Sequence, residues 1–280
     1  MELGKYNILK AHRQQPQGWY LIDDEEEEVL LPNKYVPEEF TQGDEIKVFV
    51  YTDSEDRNIA TTLTPTITRG SFAYLEVKAV TTYGAFLDWG LEKDLFVPFK
   101  EQKEKMKEGE AYVVFLYADW STGRLCASSK LNQFLVLEDL EEDFVEDFEA
   151  PVDLLIYDET SLGYKAIIND RYAGVLYRNE LYQNISIGDE IQGYINKVRE
   201  DEKIDLRLQK DGVEAIAPNA QVILDYLKAY GGETSVTDKS SPDEIAAQFN
   251  MSKKAFKKAL GSLYKSRRIL IEEGKVTLLK

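Results

Sequence analysis

One short layout recurs three times along the chain and limits the fold more than any other feature of the sequence. Each copy has a Gly-acid pair that opens a β-rich stretch, then an acidic turn, then a closing strand. The Gly-acid pairs begin at Gly43, Gly109 and Gly188. A repeat of about 60 to 80 residues is too long for a solenoid and matches a small domain of about five strands. The sequence therefore predicts consecutive, similar β domains, with three unrelated hairpins as the alternative.

Changes in composition divide the chain further. We expect β domains over residues 1–65, 66–133 and 150–211. Residues 134–149 combine apolar side chains at helix-like intervals with eight acidic residues, which predicts an acidic amphipathic connector. The remaining residues, 212–280, have a different pattern and are expected to form a domain of another class.

That last segment shows helical periodicity and strong signals for the start and end of helices. A helix is expected over residues 219–230, where a Gly-Gly pair follows. Ser241, followed by Pro and three residues later by Glu, predicts a second helix with a capping box. Ser252 is expected to cap a third helix that runs to about Arg268, and a two-stranded hairpin follows. Helix, helix, turn, helix and hairpin is the order of a winged helix.

The scarcity of cysteine and histidine excludes several kinds of site. Cys126 and His12 are the only residues of their types, so a disulfide framework, a Cys-rich zinc site and a His-pair metal site are excluded within one chain. Imidazole-based nucleophilic catalysis is disfavoured for the same reason, and a nuclease that uses carboxylates and Mg²⁺ is the least favoured class. We expect no catalytic residue, no metal and no cofactor.

The cellular setting can also be predicted. No stretch approaches the roughly 18–20 apolar residues of a membrane span. The N-terminus lacks a basic segment followed by an apolar one, so no signal peptide is visible. We therefore expect a cytoplasmic protein with no membrane partner.

Charge is distributed unevenly, and this affects any polyanionic partner. The chain has 34 Lys and Arg against 51 Asp and Glu, a formal net charge of −17. Such a chain repels nucleic acid on average, so a polyanion must be held by local patches. Residues 212–280 form the only net-basic segment, with eleven basic and eight acidic residues.

The third predicted helix concentrates these cations on one side. At about 100° per residue, five cations fall opposite its apolar face: Lys254, Lys257, Lys258, Lys265 and Arg268. As the second helix of a helix-turn-helix, it is expected to contact phosphates or base edges with these side chains. An ordinary solvated helix face is the alternative.

Aromatic side chains next to polar ones give a second set of binding candidates. Strand alternation puts Phe86 on the same face as Gly84 and puts Tyr83 on the face of Ala85. An aromatic ring on a polar face can stack on an unpaired base. A phenylalanine of the core is the alternative for Phe86.

The third copy carries its own aromatic candidates. Tyr164 and Tyr177 occur near cations such as Lys165. Aromatic residues interleaved with cations suit single-stranded nucleic acid. Tyrosines that are simply common in strands are the alternative.

These strings carry a family resemblance. Tyr83-Gly84-Ala85-Phe86, followed by Leu95-Phe96-Val97-Pro98, resembles the RNA-binding domain of ribosomal protein S1. Taken whole, the chain resembles the conserved virulence factor B family of bacterial proteins. The matching strings occupy residues 48–57, 59–62, 95–99, 162–165 and 193–199.

The resemblance implies a mainly β protein with a C-terminal α+β domain: three consecutive S1-like OB-fold barrels followed by a winged helix. It implies that the protein binds single-stranded RNA and affects gene expression. The alternative is a regulator that binds DNA or docks onto proteins through the winged helix, with the barrels as scaffold. The matching strings add Phe96, Lys197 and Arg199 to the expected RNA-binding residues.

The sequence also departs from the S1 pattern. Val97 stands where such domains often have a histidine. The first copy has Gln17-Gly18-Trp19-Tyr20 instead of a Gly-Ala-Phe string. Whether this first copy contacts RNA is therefore left open.

Overall fold

The computed structural model describes residues 1–136, 150–181, 183–201, 203–209, 218–272 and 274–279. The chain divides into two compact units. One unit contains Met1–Leu176 and Ile185–Leu206, and the other contains Tyr177–Asn184 and Arg207–Lys280. No helix in the described ranges is both long and apolar enough to cross a membrane.

Fifteen strands account for the repeated part of the chain. The first group is β1 (Tyr6–Gln15), β2 (Gly18–Ile22), β3 (Glu28–Pro32), β4 (Glu45–Thr52) and β5 (Asn58–Thr61). The second group is β6 (Phe72–Val80), β7 (Gly84–Leu87), β8 (Leu95–Pro98), β9 (Ala111–Ala118) and β10 (Leu125–Ser128). The third group is β11 (Val152–Glu159), β12 (Gly163–Ile168), β13 (Tyr172–Tyr177), β14 (Glu190–Val198) and β15 (Ile204–Arg207).

The three groups share one topology. The first is a closed barrel in the order β1-β2-β3-β5-β4, and the third is a closed barrel in the order β11-β12-β13-β15-β14. The second follows the same circuit as a five-stranded sheet, in which β8 and β10 contact each other without a hydrogen-bonded ladder. The prediction of three OB-like barrels is confirmed.

Irregular features recur at matching places in the three barrels. The pairing of the first two strands shifts register between Ala11 and Arg13, between Val77 and Ala79, and again between Ile156 and Asp158. A short 3₁₀ turn follows the third strand each time, at Asn33–Tyr35, Phe99–Glu101 and Arg178–Glu180. Unrelated hairpins would not share a β-bulge and a turn at the same positions, so the copies are true repeats.

The first two barrels share a hydrophobic core. In β4, Val48 and Val50 point into the first barrel, whereas Phe49 and Tyr51 point out of it and are also buried. Their rings pack edge-to-face on Trp89 of the second barrel, with centroid distances of 5.8 and 6.1 Å. Both faces of β4 are therefore buried, which joins the two barrels through side-chain packing.

A smaller apolar cluster joins the second barrel to the third. Phe72 of β6 is buried with Leu155 and Ile167 of the third barrel. Phe134, at the start of the predicted acidic connector, stacks on Phe115 with a centroid distance of 4.1 Å. The helix-like pattern expected for the rest of that connector lies mostly at residues 137–149, outside the described residues.

The second unit contains the winged helix. Its elements are α1 (Pro218–Ala229), β16 (Glu233–Thr234), α2 (Pro242–Phe249), α3 (Lys253–Lys265), β17 (Ile269–Glu272) and β18 (Lys275–Leu278). The predicted capping box is confirmed, since the Glu244 amide donates to Ser241 Oγ at 3.2 Å and the Ser241 amide donates to Glu244 Oε2 at 2.8 Å. Ser252 caps α3 as expected, through the amide of Ala255.

Two details of this unit differ from the prediction. The wing is a three-stranded sheet in the order β16-β18-β17, because Thr234 pairs with Val276 beside the expected hairpin. The third helix ends at Lys265 rather than at Arg268. Arg267 has a left-handed backbone with φ of 54°, which stops the helix before the wing begins.

Candidate nucleic-acid interface

A glycine opens the second strand of the second barrel and brings two strands close together. A Cβ atom on Gly84 would lie 2.3 Å from the carbonyl oxygen of Val97. Gly18 holds the same position in the first barrel, where a Cβ would lie 2.1 Å from the carbonyl oxygen of Leu31. Only glycine permits this approach, and it sets the register of the side chains that follow.

Phe86 lies on the outer face of the second barrel. Ala85 and Leu87 on either side of it are fully buried in the barrel core, whereas Phe86 is half-buried. Phe86 pairs across the strands with Phe96, and their ring centroids are 5.1 Å apart. Tyr83 precedes the strand and is 78% exposed.

These three rings line one groove. Its volume is about 380 Å³, and Tyr83, Phe86 and Phe96 lie along it. The predicted aromatic residues of the second copy are thus brought together. A row of accessible rings on a barrel face is the arrangement on which unpaired bases stack.

The same groove contains two cations that sequence reasoning missed. Lys93 and Arg124 line it, together with Asp56 from the β4–β5 turn of the first barrel. Asp56 lies 3.3 Å from Lys93 Nζ and 2.5 Å from an Arg124 nitrogen. One carboxylate thus sits between two cations, and the first barrel forms part of the groove wall. No local pattern reveals this pairing, because its members come from separate turns.

At the corresponding position of the first barrel, one side of the aromatic ring is covered. Tyr20 holds the register position of Phe86, because each pairs with the residue just after its bulge. The Arg13 guanidinium lies 3.9 Å from the Tyr20 ring centroid, and it also forms two hydrogen bonds to Glu28. These contacts cover one side of the ring.

The third barrel places a cation where the second has a ring. By the same register, Lys165 lies at the position of Phe86 and Tyr164 at the position of Ala85. Lys165 Nζ is 3.5 Å from Asp158, and Lys103 of the second barrel is 3.2 Å from the same carboxylate. Tyr164 is half-buried. Lys165 faces a different cleft from the groove that holds Phe86.

The other predicted residues of the third copy do not line the cleft that Lys165 faces. Arg199 is engaged with Asp205, at 2.8 and 3.0 Å. Lys197 is exposed near the end of β14, and Tyr177 is half-buried at the end of β13. None of the three lines the groove or the cleft described for the barrels.

Trp120 is a further residue that sequence reasoning did not select. It is fully exposed at the tip of the β9–β10 turn. Asp119 holds this turn, since its carboxylate accepts hydrogen bonds from the Ser121 hydroxyl and from the amides of Ser121 and Thr122, which lower the pKa of Asp119 to about 2. Tryptophan is rarely so exposed, and this loop position binds oligonucleotides in OB folds.

The predicted basic face of the winged helix is intact on α3. The apolar side of the helix is buried through Phe256, Ala259, Leu260 and Leu263. The opposite side exposes the four predicted cations of the helix, Lys254, Lys257, Lys258 and Lys265, and the fifth, Arg268, is exposed after the helix end. Arg267, which was not predicted, is also exposed just after the helix.

Gly261 lies in the middle of this basic face. It is exposed within α3, and a Cβ atom there would have no neighbour within 4 Å. Nothing in the described structure requires a glycine at this position. In a helix interior, glycine is about 1 kcal/mol less favourable than alanine, so it leaves the backbone accessible at some expense of stability.

The fold and these surfaces define a class of protein: S1-type barrels joined to a winged helix, a set of domains that binds nucleic acid. The sequence pattern of the S1 domain matches residues 3–63 and 70–130, and that of the CvfB-like winged helix domain matches residues 221–278. The third barrel is recognised here by its strand order and its bulge.

Curated relatives identify the family. The uncharacterized protein YitL of Bacillus subtilis is 30% identical over 98% of this chain and 93% of its own length. Conserved virulence factor B of Staphylococcus epidermidis is 30% identical over 99% of this chain and 95% of its own length. The chain belongs to the conserved virulence factor B family, as its sequence strings predicted.

Solved structures include one that spans the whole chain. It comes from Streptococcus pneumoniae TIGR4 and is described as a multidomain protein with nucleic acid binding domains. It is 26% identical and covers 99% of this chain and 98% of its own, with a TM-score of 0.44.

Proposed function

We propose that this protein is an RNA-binding regulator that contacts single-stranded RNA through its barrels and its winged helix and thereby affects gene expression in the bacterial cytoplasm. It acts by binding rather than by catalysis. In this proposal the domains are residues 1–65, 66–133, 150–211 and 212–280, with the connector at 134–149.

The groove of the second barrel carries the proposal. The aromatic rings of Tyr83, Phe86 and Phe96 line this groove together with Lys93 and Arg124. Rings that stack on bases without reading their edges, combined with cations that meet phosphates, favour single strands over duplexes. RNA is favoured over DNA because S1-type domains are RNA-binding modules and because unpaired RNA segments are the usual targets of stacking surfaces.

A parallel titration tests this function. The full-length protein is titrated with labelled single-stranded RNA, single-stranded DNA and duplex DNA of equal length, at several salt concentrations. We expect the tightest binding to single-stranded RNA, with a log-log salt slope of about 0.7 per neutralised phosphate. Tighter binding to duplex DNA would favour a DNA-binding winged helix with the barrels as scaffold. No binding to any of the three would favour protein docking.

A further inference from the structure

A second cleft lies between the second and third barrels. Its volume is about 790 Å³, roughly twice that of the groove beside Phe86. Tyr74 and Tyr112 line it from the second barrel, and Tyr157 and Lys165 line it from the third. Tyr74 is 40% exposed. The walls therefore combine aromatic rings with charged side chains, as a nucleotide pocket does.

The cations of this cleft come from both barrels and converge on one carboxylate. Lys103 Nζ lies 3.2 Å from Asp158 Oδ2, and Lys165 Nζ lies 3.5 Å from the same atom. Lys103 is 64% exposed and Asp158 is 26% exposed. Two ammonium groups around one carboxylate leave an excess positive charge that is accessible to an anion.

The remaining charged residues that line the cleft are Glu104, Glu110 and Lys130, and Glu110 is paired with a further cation, Lys107. Glu110 accepts hydrogen bonds from the Tyr112 hydroxyl at 2.6 Å and from Lys107 Nζ at 3.0 Å, so its charge is already compensated. Glu104 and Lys130 also line the cleft and carry opposite charges. Counted with Lys107, four lysines face three carboxylates around the cleft, in a chain whose net charge is −17.

Register links this cleft to the groove of the second barrel. Lys165 occupies the position that Phe86 occupies in the second barrel. The cleft therefore lies on the face of the third barrel that corresponds to the aromatic groove. Here, however, the opposite wall is built by the second barrel, from Lys103 and residues 129–133.

We propose that this cleft is a second single-strand site, which holds one phosphate of the RNA between Lys103 and Lys165 and an adjoining base against the tyrosines. The site is formed jointly by two barrels and would be incomplete in either one alone. It rests on the proposed RNA-binding function and assigns a role to Lys103, which lies in none of the matching strings.

Removing either a cation or the carboxylate of the Lys103–Asp158–Lys165 cluster tests the proposal, because the two changes should affect binding in opposite directions. Lys103→Ala removes a phosphate ligand and is expected to weaken binding to single-stranded RNA and to reduce the salt slope by about 0.7. Asp158→Asn removes the competing carboxylate and keeps the oxygen that accepts from the Glu159 amide, so it is expected to strengthen binding. Lys105→Ala is the matched control for Lys103→Ala, since Lys105 is exposed in the same segment but does not line the cleft.

A second control accounts for general charge. Glu39→Gln removes one exposed negative charge outside the cleft and should strengthen binding less than Asp158→Asn does. If the ion pair is purely structural, Lys103→Ala and Asp158→Asn should change binding in the same direction or not at all. Either result would overturn the proposal that the cleft binds RNA. If the wild-type protein binds RNA and Lys103→Ala has the same RNA affinity and salt slope as Lys105→Ala, the cleft proposal is wrong while the proposed function stands. If the wild-type protein binds no RNA, both fail.

Discussion

The three barrels share one strand topology but carry different side chains at one register position. The position is held by Tyr20 in the first barrel, Phe86 in the second and Lys165 in the third. Arg13 covers the tyrosine, the phenylalanine lines an open groove, and the lysine faces a carboxylate. A single register position thus carries a ring covered on one side, a ring in an open groove and a lysine paired with a carboxylate.

The stacking role of Phe86 gives the first prediction. Phe86→Ala is expected to weaken binding to single-stranded RNA by about 1–3 kcal/mol, because one stacked base is lost. The salt slope should stay unchanged, since stacking releases no counterions. Isothermal titration at several salt concentrations measures both quantities.

A matched control exists in the first barrel. Tyr20→Ala removes the ring at the equivalent position, where Arg13 already covers it, and should leave the affinity nearly unchanged. Thermal melts of both variants separate binding from folding. If Phe86→Ala unfolds the second barrel, Phe86 is mainly a packing residue and the stacking role is wrong.

Gly261 gives a prediction in which stability and binding change in opposite directions. Gly261→Ala should raise the stability of the winged helix by about 1 kcal/mol, because alanine favours the helix and meets no neighbour. If the basic face lies against nucleic acid, the added methyl group should weaken binding. Gly261→Leu should weaken it further at similar stability. Binding that is unaffected by either substitution would show that this face is solvated.

At the level of elements, the acidic turns of the repeats have a structural explanation. Asp53 Oδ1 accepts from the amides of Glu55 and Arg57, and Asp119 Oδ1 accepts from the amides of Ser121 and Thr122. These carboxylates close their own turns. The turn after Asp53 then carries Asp56 to the groove of the second barrel.

Asp56 is expected to act as an internal competitor for that groove. Asp56→Asn should strengthen binding to single-stranded RNA and steepen the salt slope by up to about 0.7 for each cation that gains a phosphate. Asparagine tolerates the left-handed backbone of this residue, whose φ is 61°. Glu39→Gln is the matched control, because Glu39 has a φ of 62° but does not line the groove. Equal effects of the two substitutions would contradict the prediction.

The basic face of α3 provides a prediction for a whole element. Changing Lys254, Lys257 and Lys258 together to Glu should weaken binding similarly across RNA sequences and flatten the salt slope, because phosphate contacts are lost. The helix should survive, since Lys and Glu have similar helix propensity and the apolar face is untouched. Circular dichroism checks the fold.

A charge control for this variant lies in the same unit. Lys228 and Lys239 are exposed but lie outside α3, so changing both to Glu should have a clearly smaller effect. If the triple variant folds and its RNA affinity and salt slope are unchanged, the basic face is either solvated or used for protein docking.

At the scale of the whole molecule, the first two barrels are expected to unfold together. Phe49 is fully buried and belongs to β4 of the first barrel, yet it packs on Trp89 of the second. Phe49→Ala should therefore destabilise both barrels by about 3–5 kcal/mol. Native-state hydrogen exchange at increasing denaturant, read separately on the strands of the two barrels, should show one shared opening at a lower midpoint.

The control for this prediction is a solvent-facing ring. Phe99 is 42% exposed, and Phe99→Ala should change stability by no more than about 1 kcal/mol. Separate openings of the two barrels in the wild-type protein would show that the barrels are independent despite their shared core.

One part of this assembly was readable in the sequence. Val48, Phe49, Val50 and Tyr51 form a continuous apolar run, and such a run is typical of a strand buried on both faces. The structure buries all four residues. The run therefore signalled that another domain covers the outer face of this barrel, although not which one.

Local chemistry was sufficient for the repeats, the winged-helix order and the helix caps, whereas the OB-fold class came from the family resemblance. The Gly-acid pairs, the acidic turns and the Ser-Pro-Asp-Glu start of α2 act over a few residues, so their structures follow from the chain itself. Alternation likewise put Phe86 on the opposite face from Ala85 and Leu87, but it left open which of the two faces is the core. These features depend on short-range geometry, which a linear sequence contains.

Only the tertiary structure decided which outward side chains are accessible and which charges meet. Arg13 covers Tyr20, Asp56 reaches Arg124 of the next barrel, and Lys103 joins Lys165 around Asp158. The partners in these contacts are separated by turns, strands or whole domains. Their distances depend on how folded surfaces pack against one another, because long-range packing and charge pairing arise only after the barrels have formed.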